Sequence, residues 1–384
     1  LSYRFLRKKE AVLRYGSPMR PFYLGKTVRR TMCDRFLENC DQKVCRIQSP
    51  NFPGMYPRNL TCSYSVHQST SPPGKVALVR IKQDNPHMVY IKDRNSPHLK
   101  RDRQLALDEN CDVLHDFIVV HDGNTTKSPV LLKACKGGQL SPITASGPDI
   151  LVHFHVSPYD FPFQDSPRRN IYGFQFEVEI IFVDIESTAY IRKPSSIPVL
   201  PPLLAESIDT HPPCTWEMKS SARRSGYIQA PEHSVLSNTS CTWKLVGGIG
   251  EVVWLSFLHY RHVIHKEIPK PARCTNTLTI HDGATKNATM LANVCRTEKY
   301  PKVCGAVVAC HPDDSYISKT HLLTITLHYS SGTVASHVEF LARYEFVRRR
   351  QWGLQTPNGS SCDRTFGTSP DRLFASPRDV FFFG

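Results

Sequence analysis

Gly173-Phe-Gln-Phe-Glu-Val-Glu-Ile180 decides the fold of this chain: Phe174, Phe176, Val178 and Ile180 fall on one face, Gln175, Glu177 and Glu179 on the other. Period two with one wet face is the mark of an antiparallel sheet laid over a core. Val338-Glu-Phe-Leu-Ala-Arg-Tyr-Glu-Phe346 repeats it, with Val338, Phe340, Ala342, Tyr344 and Phe346 on the apolar side. Upstream of these strands His121-Asp122-Gly123 recurs as His281-Asp282-Gly283. Each triplet follows an apolar strand (Phe117 to Val120; Leu278 to Ile280) and leads to a cysteine, Cys135 or Cys295, at the same spacing. Ile150 to Val156 alternates as well, Glu251 to Leu258 is a mixed apolar run containing Trp254, and no ten-residue stretch carries a helical stripe. Two blocks in one spacing read as one fold used twice. The expected class is therefore all-β, two antiparallel β-sandwiches in tandem. Between the blocks, residues 187–213 hold Pro194, Pro198, Pro201, Pro202, Pro212 and Pro213, a stiff linker composition.

The chain has 384 residues and a net charge of +14, enough length for two to three domains of about 150 residues. Much of the charge lies outside the two blocks: residues 1–35 hold ten Lys/Arg against Glu10 and Asp34, and residues 348–384 hold six Arg against three Asp. A nucleic-acid groove would put its charge on the fold itself, so basic flanks argue against nucleic acid as partner. No uncharged apolar run reaches the roughly 18 residues of a membrane span. Thirteen cysteines beside five sequons, at Asn59, Asn124, Asn238, Asn287 and Asn358, point to a disulfide-bonded extracellular glycoprotein. The chain starts at Leu1, and its basic residues 1–30 lack the apolar core of a signal peptide, so a targeting segment is expected upstream.

Sequence alone does not fix disulfide connectivity. Pairing neighbours within each block joins Cys45 with Cys62, Cys111 with Cys135, Cys214 with Cys241 and Cys274 with Cys295. Cys33 with Cys40 and Cys304 with Cys310 then close short loops, and Cys362 is left over.

Cys45-x3-Ser49-Pro-Asn-Phe-Pro-Gly54-x-Tyr56-Pro-x-Asn59-x-x-Cys62, then Cys111-x4-Asp116-x5-Asp122-Gly123, Cys135 and the Gly173-Phe174 strand, resemble a CUB domain over residues 45–184. Gly226-Tyr-Ile, Cys241-Thr-Trp243-Lys-Leu245 and Asp282-Gly283 resemble a divergent second one over residues 214–347. This divides the chain into a disordered basic segment 1–32, a Cys-containing lead-in 33–44, the first CUB block, a linker 185–213, the second block, and a basic tail 348–384. In that tail Cys362, Ser376-Pro377 and Phe381 to Gly384 look like the opening of a third module. The insertion 83–110 and Ser157-Pro-Tyr-Asp160-x-Pro-Phe163 further resemble the suppressor-of-lurcher type of multi-CUB protein, auxiliary to glutamate receptors.

For cofactors the resemblance implies calcium. CUB domains that bind it use a carboxylate before the third cysteine, an Asp five residues after it, and an Asp in a late loop. The matching positions are Asp108 or Glu109, Asp116 and Asp160, with backbone carbonyls and water completing about six to eight oxygens. The alternative is that Asp116 begins a strand and Asp160 makes a turn. Asp122 reads as a turn residue beside Gly123. In the second block Asn276 replaces Asp116, and Ser330-Ser-Gly332 replaces the late Asp loop, so no calcium is expected there. His259-x-x-His262-x-x-His265 is the best transition-metal cluster, but on a strand or loop that spacing does not converge.

No Gly-x-Ser-x-Gly, His-Glu-x-x-His or phosphate-binding Gly-rich loop is present. The expected function is non-catalytic: an extracellular adhesion or receptor-auxiliary protein whose loops dock cell-surface proteins, an ionotropic glutamate receptor among them. The rivals are the accessory region of a secreted protease and a spermadhesin-like glycan binder.

Overall fold

The computed structural model describes residues 6–83, 89–91, 105, 107–108, 110–159, 172–191, 214–264, 276–285, 287–294, 315–330, 332–348, 354–355 and 364–365. From residue 6 onward the N-terminal segment is folded, against the expectation of disorder over 1–32. Helix α1 (Lys8–Tyr15) runs into a hairpin of β1 (Gly16–Ser17) and β2 (Arg20–Pro21), and β3 (Lys26–Thr27) joins a sheet of the first sandwich. The reason is that the basic run carries docking groups. Tyr23 bridges Cys45, Arg14 Nη1 donates to the Phe52 carbonyl at 2.9 Å, and the Arg46 guanidinium lies 4.7 Å from the Phe22 ring centre.

The first sandwich contains β4 (Arg35–Glu38), β5 (Arg46–Gln48), β6 (Leu60–His67), β7 (Lys75–Lys82), β8 (Phe117–His121), β9 (Val130–Ala134), β10 (Ile143–Thr144), β11 (Asp149–Val156) and β12 (Gln175–Asp184). One sheet has the order β3-β4-β6-β11-β8-β9, the other β10-β7-β12-β5. The second sandwich contains β13 (Thr215–Lys219), β14 (Ser225–Gln229), β15 (Thr239–Val246), β16 (Glu251–Ile264), β17 (Asn276–Asp282), β18 (Thr289–Val294), β19 (Ser315–Ile317), β20 (Leu322–Tyr329), the short helix α2 (Gly332–Ala335) and β21 (Ser336–Arg348). Its sheets run β13-β15-β20-β17-β18 and β14-β21-β16-β19. Apart from β3, every strand of one sandwich has a counterpart in the same place in the other. A last pair, β22 (Leu354–Gln355) and β23 (Arg364–Thr365), follows.

The alternating residues fill the cores. Phe174 packs edge-on to Phe154 with centroids 5.1 Å apart and stacks on Phe176 at 4.9 Å. Trp243 stacks on Trp216 at 5.1 Å and meets Phe340 edge-on at 5.0 Å. The repeated His-Asp-Gly is a bracket in both sandwiches. Gly123 (φ 140°) and Gly283 (φ 148°) turn the chain at positive φ, where an added Cβ would come within 2.6 Å of the Ser128 Oγ or the Ala288 Cβ. Asp122 then accepts from the Ser146 amide at 2.7 Å, and Asp282 from the Lys319 and Thr320 amides at 2.7 and 3.0 Å. Each aspartate thus ties its turn to the loop entering the middle strand, β11 or β20.

The structure pairs four cysteines differently from the neighbour scheme. Cys33 is bonded to Cys62 and Cys40 to Cys45, where Cys45–Cys62 and Cys33–Cys40 were expected; Cys111–Cys135 and Cys214–Cys241 are also bonded. Strand register is the cause. β4 runs parallel to β6 with Arg35 opposite Tyr64, which sets Cys33 beside Cys62, and β13 runs parallel to β15 with Thr215 opposite Thr242, which sets Cys214 beside Cys241. The segment 33–44 therefore supplies an integral strand of the first sandwich. Cys274, Cys295, Cys304, Cys310 and Cys362 lie outside the described residues.

The two sandwiches touch. Thr144 of β10 exchanges hydrogen bonds with Ser234, whose amide donates to the Thr144 carbonyl at 2.8 Å and whose Oγ accepts from the Thr144 amide at 3.0 Å. Arg80 Nη2 lies 3.2 Å from Glu232 Oε2, and Leu236 and Val334 pack against the first core.

Candidate functional site

Three loops meet at one end of the first sandwich: the connection from β5 to β6, the approach to β8 and the exit from β11. They are neighbours because β11 is antiparallel to both other strands, Val156 lying opposite Leu60 and His155 opposite Phe117. Asp116, one residue before β8, is buried at 2% exposure. Its Oδ2 accepts from Arg58 Nη1 at 2.6 Å and from the Tyr56 hydroxyl at 2.8 Å. Its Oδ1 accepts from Arg58 Nη2 at 2.9 Å and from the Ser157 amide at 2.9 Å. Arg58 Nη2 also donates to the Tyr159 carbonyl at 2.6 Å, and the Tyr159 amide donates to Ser157 Oγ at 3.2 Å. A bidentate guanidinium–carboxylate pair of this kind gives fixed geometry as well as energy. On the same loops Met55 is 49%, Val113 68% and Tyr159 55% exposed.

Among the described residues the expected calcium ligands do not assemble. A carboxylate offers about four lone-pair sites, and Asp116 has four donor atoms on them, two of them from the Arg58 guanidinium. Asp108 is engaged elsewhere, 2.7 Å from Lys136 Nζ, and that hydrogen bond holds its carboxyl below its ordinary range against the opposing effect of burial. The cluster Asp108, Cys111 and Cys135 adds no thiolate ligands, because its cysteines are joined to each other. Asp160 and Glu109 lie outside the described residues. Among the described residues, Asp116 and Asp108 therefore offer the ion no open carboxylate edge.

The second sandwich resolves the same end without charge. Asn276 is buried and its Nδ2 donates to the Ser336 carbonyl at 2.7 Å, while Thr333 Oγ1 accepts from the Val235 amide at 2.8 Å. The histidine run divides as an odd spacing on a strand must. His262 Nε2 is 2.8 Å from Ser336 Oγ, whereas His259 Nε2 lies 3.9 Å from Glu339 Oε2. His337 Nε2 reaches Glu339 Oε1 at 3.2 Å and is the main cause holding that carboxyl below its usual range. His265 is outside the described residues.

Arg58 went unread in the sequence because it fills an unspecified position of the Cys45–Cys62 motif. Its partner, Asp116, lies 58 residues further on, and the one local signal was an arginine flanked by proline and a sequon.

No protein-family model matches the chain. Cubilin of Sus scrofa is 27% identical over 168 residues, 42% of this chain, and Cubilin of Rattus norvegicus 28% identical over 151 residues, 39% of it. These stretches span 4% and 3% of the two cubilins. The similarity supports reading the sandwiches as CUB modules. Among solved structures, the CUB1-EGF-CUB2 domains of rat MASP-1 align over 81% of this chain and 99% of that one at 15% identity, with a TM-score of 0.25. The MASP-1 CUB2 domain bound to Ca2+ aligns over 37% and 95% at 15% identity, with the same TM-score of 0.25.

Proposed function

We propose that this chain is a non-catalytic extracellular protein-interaction protein that docks partners on the loop end of its first sandwich. The observation that carries the reading is the pinning by Arg58 and Asp116 of three loops that also carry the exposed Met55, Val113 and Tyr159. Interfaces are enriched in Tyr, Met and Arg, and rigid anchors lose little entropy on binding. Disulfides suit an oxidising compartment, and no helix among the described residues is long and apolar enough to cross a membrane. The narrower role, auxiliary to an ionotropic glutamate receptor, draws its support from the suppressor-of-lurcher resemblance; the rival is an accessory region of a secreted protease.

Biolayer interferometry of the chain against immobilised glutamate-receptor ectodomains and secreted protease domains tests both. Tyr159→Ala should weaken the productive pair about 30-fold, the effect of losing a hot spot of about 2 kcal/mol. Ile249→Ala, a control at a fully exposed residue of the second sandwich, should leave binding unchanged. Binding that survives the triple change Met55→Ala, Val113→Ala and Tyr159→Ala places the docking face elsewhere.

An extracellular route also puts glycans on the sequons, and Asn59, Asn124, Asn238 and Asn287 are all exposed. Asn59 and Asn238 occupy equivalent positions, at φ 53° and 60°, three residues before Cys62 and Cys241. Asn59→Gln and Asn238→Gln should each remove one glycosidase-sensitive step from the intact mass of the secreted chain, and an unchanged mass would count against the secretory assignment.

A further inference from the structure

We infer that Arg58 is the built-in cation of the first sandwich: its guanidinium does the work of a divalent ion at Asp116, so this loop end is closed without metal. A buried carboxylate needs a compensating charge. Here the charge comes from the same chain, at 2.6 and 2.9 Å, in a planar fork that matches both oxygens. The same Nη2 continues to the Tyr159 carbonyl at 2.6 Å, so one side chain joins the loop before β6 to the loops flanking β8 and β11, as a multidentate ion would.

Two further observations narrow this. All four acceptor positions of Asp116 are filled, by Arg58 twice, by Tyr56 and by the Ser157 amide. An incoming cation would have to displace the arginine, trading a tethered ligand at very high local concentration for a dilute one. The second sandwich places neutral Asn276 at the equivalent position, where its Nδ2 donates to the Ser336 carbonyl and its Oδ1 has no partner among the described residues, so no buried charge stands there to be compensated. The inference stands whether or not this end docks a partner.

The consequence for recognition is specific. A carboxylate saturated by its own arginine has no free edge for a partner's Lys or Arg, so contacts at this end run through Tyr159 and its apolar neighbours and do not depend on calcium.

The test uses the full chain, with hydrogen exchange of the Ser157 amide and thermal melting both read in millimolar calcium and in chelator. Wild type should show the same exchange and melting in both. Arg58→Ala should exchange faster at Ser157 and melt several degrees lower in both, since the buried charge has lost its partner. Adding Asp116→Asn to Arg58→Ala should recover part of that loss, because the amide removes the charge left bare. A calcium-dependent rise in the wild type that Asp116→Asn abolishes would overturn the inference, as would an Arg58→Ala chain as stable and as protected as wild type. If Arg58→Ala does not fold, the comparison of wild type and Asp116→Asn in calcium and chelator decides alone.

Discussion

Trp243→Ala is expected to destabilise the second sandwich by about 3–5 kcal/mol, the range for emptying a buried aromatic site. Trp243 is at 0% exposure in the middle strand pair of its sheet, stacked on Trp216 and capped by the edge of Phe340. Strands β15 and β20 hold its backbone in register with Ile325, so the surrounding sheet has little freedom to collapse into the hole. Urea unfolding of the full chain should show one transition displaced by about 2 M and the other unmoved, given a slope of about 2 kcal/mol per M. Trp243→Phe separates packing from polarity. The indole Nε1 is buried with no hydrogen-bond partner among the described residues, and phenylalanine removes that unsatisfied donor while keeping most of the ring. Its cost should be less than half that of alanine, about 1–2 kcal/mol. Equal losses for the two variants would mean that the indole nitrogen is satisfied after all.

Removing Cys33 and Cys62 together should lower stability by roughly 3.6 kcal/mol, whereas removing Cys40 and Cys45 should lower it by roughly 2, on the chain-entropy dependence on loop length. The sequence separations are 29 and 5. The first bridge also fastens β4, a strand of four residues, to the sheet through its parallel neighbour β6; without it, β3 and the arm behind it should exchange amide hydrogen faster as well. Peptide mapping without reduction checks the connectivity directly. Recovery of a Cys45–Cys62 peptide would overturn both the pairing and the order of the two losses.

The sandwiches were legible where one face of a strand is wet. Gln175, Glu177 and Glu179 advertise β12 because polar and apolar residues must alternate there. The His-Asp-Gly repeat was legible as a repeat, and its role as a bracket needed the distant Ser146, Lys319 and Thr320 amides. β4 was not legible. Arg35-Phe-Leu-Glu38 is too short to show a period, and a parallel strand gives no hairpin signal. The two misassigned bridges followed from that, since Cys33 finds Cys62 only once β4 is in place, which leaves Cys40 to Cys45. The arginine beside Asp116 was not legible for a related reason: spacing around Cys111 picks out Asp116, but the cation that faces it, Arg58, comes from a loop 58 residues earlier in the chain.

Both edges of the four-stranded sheet in the first sandwich are occupied. Tyr23 of the arm adds to β5, its amide bonded to the Val44 carbonyl at 2.9 Å and its carbonyl accepting from the Arg46 amide at 3.0 Å, while Ser234 of the second sandwich meets β10. An uncapped edge is a template on which another chain can add a strand. The basic arm is therefore a selvedge: its Tyr23 occupies an edge on which another chain would otherwise be expected to add a strand. A chain trimmed to begin at Cys33 would keep every core residue and lose that protection, and would be expected to differ from the intact chain in solubility long before it differs in fold.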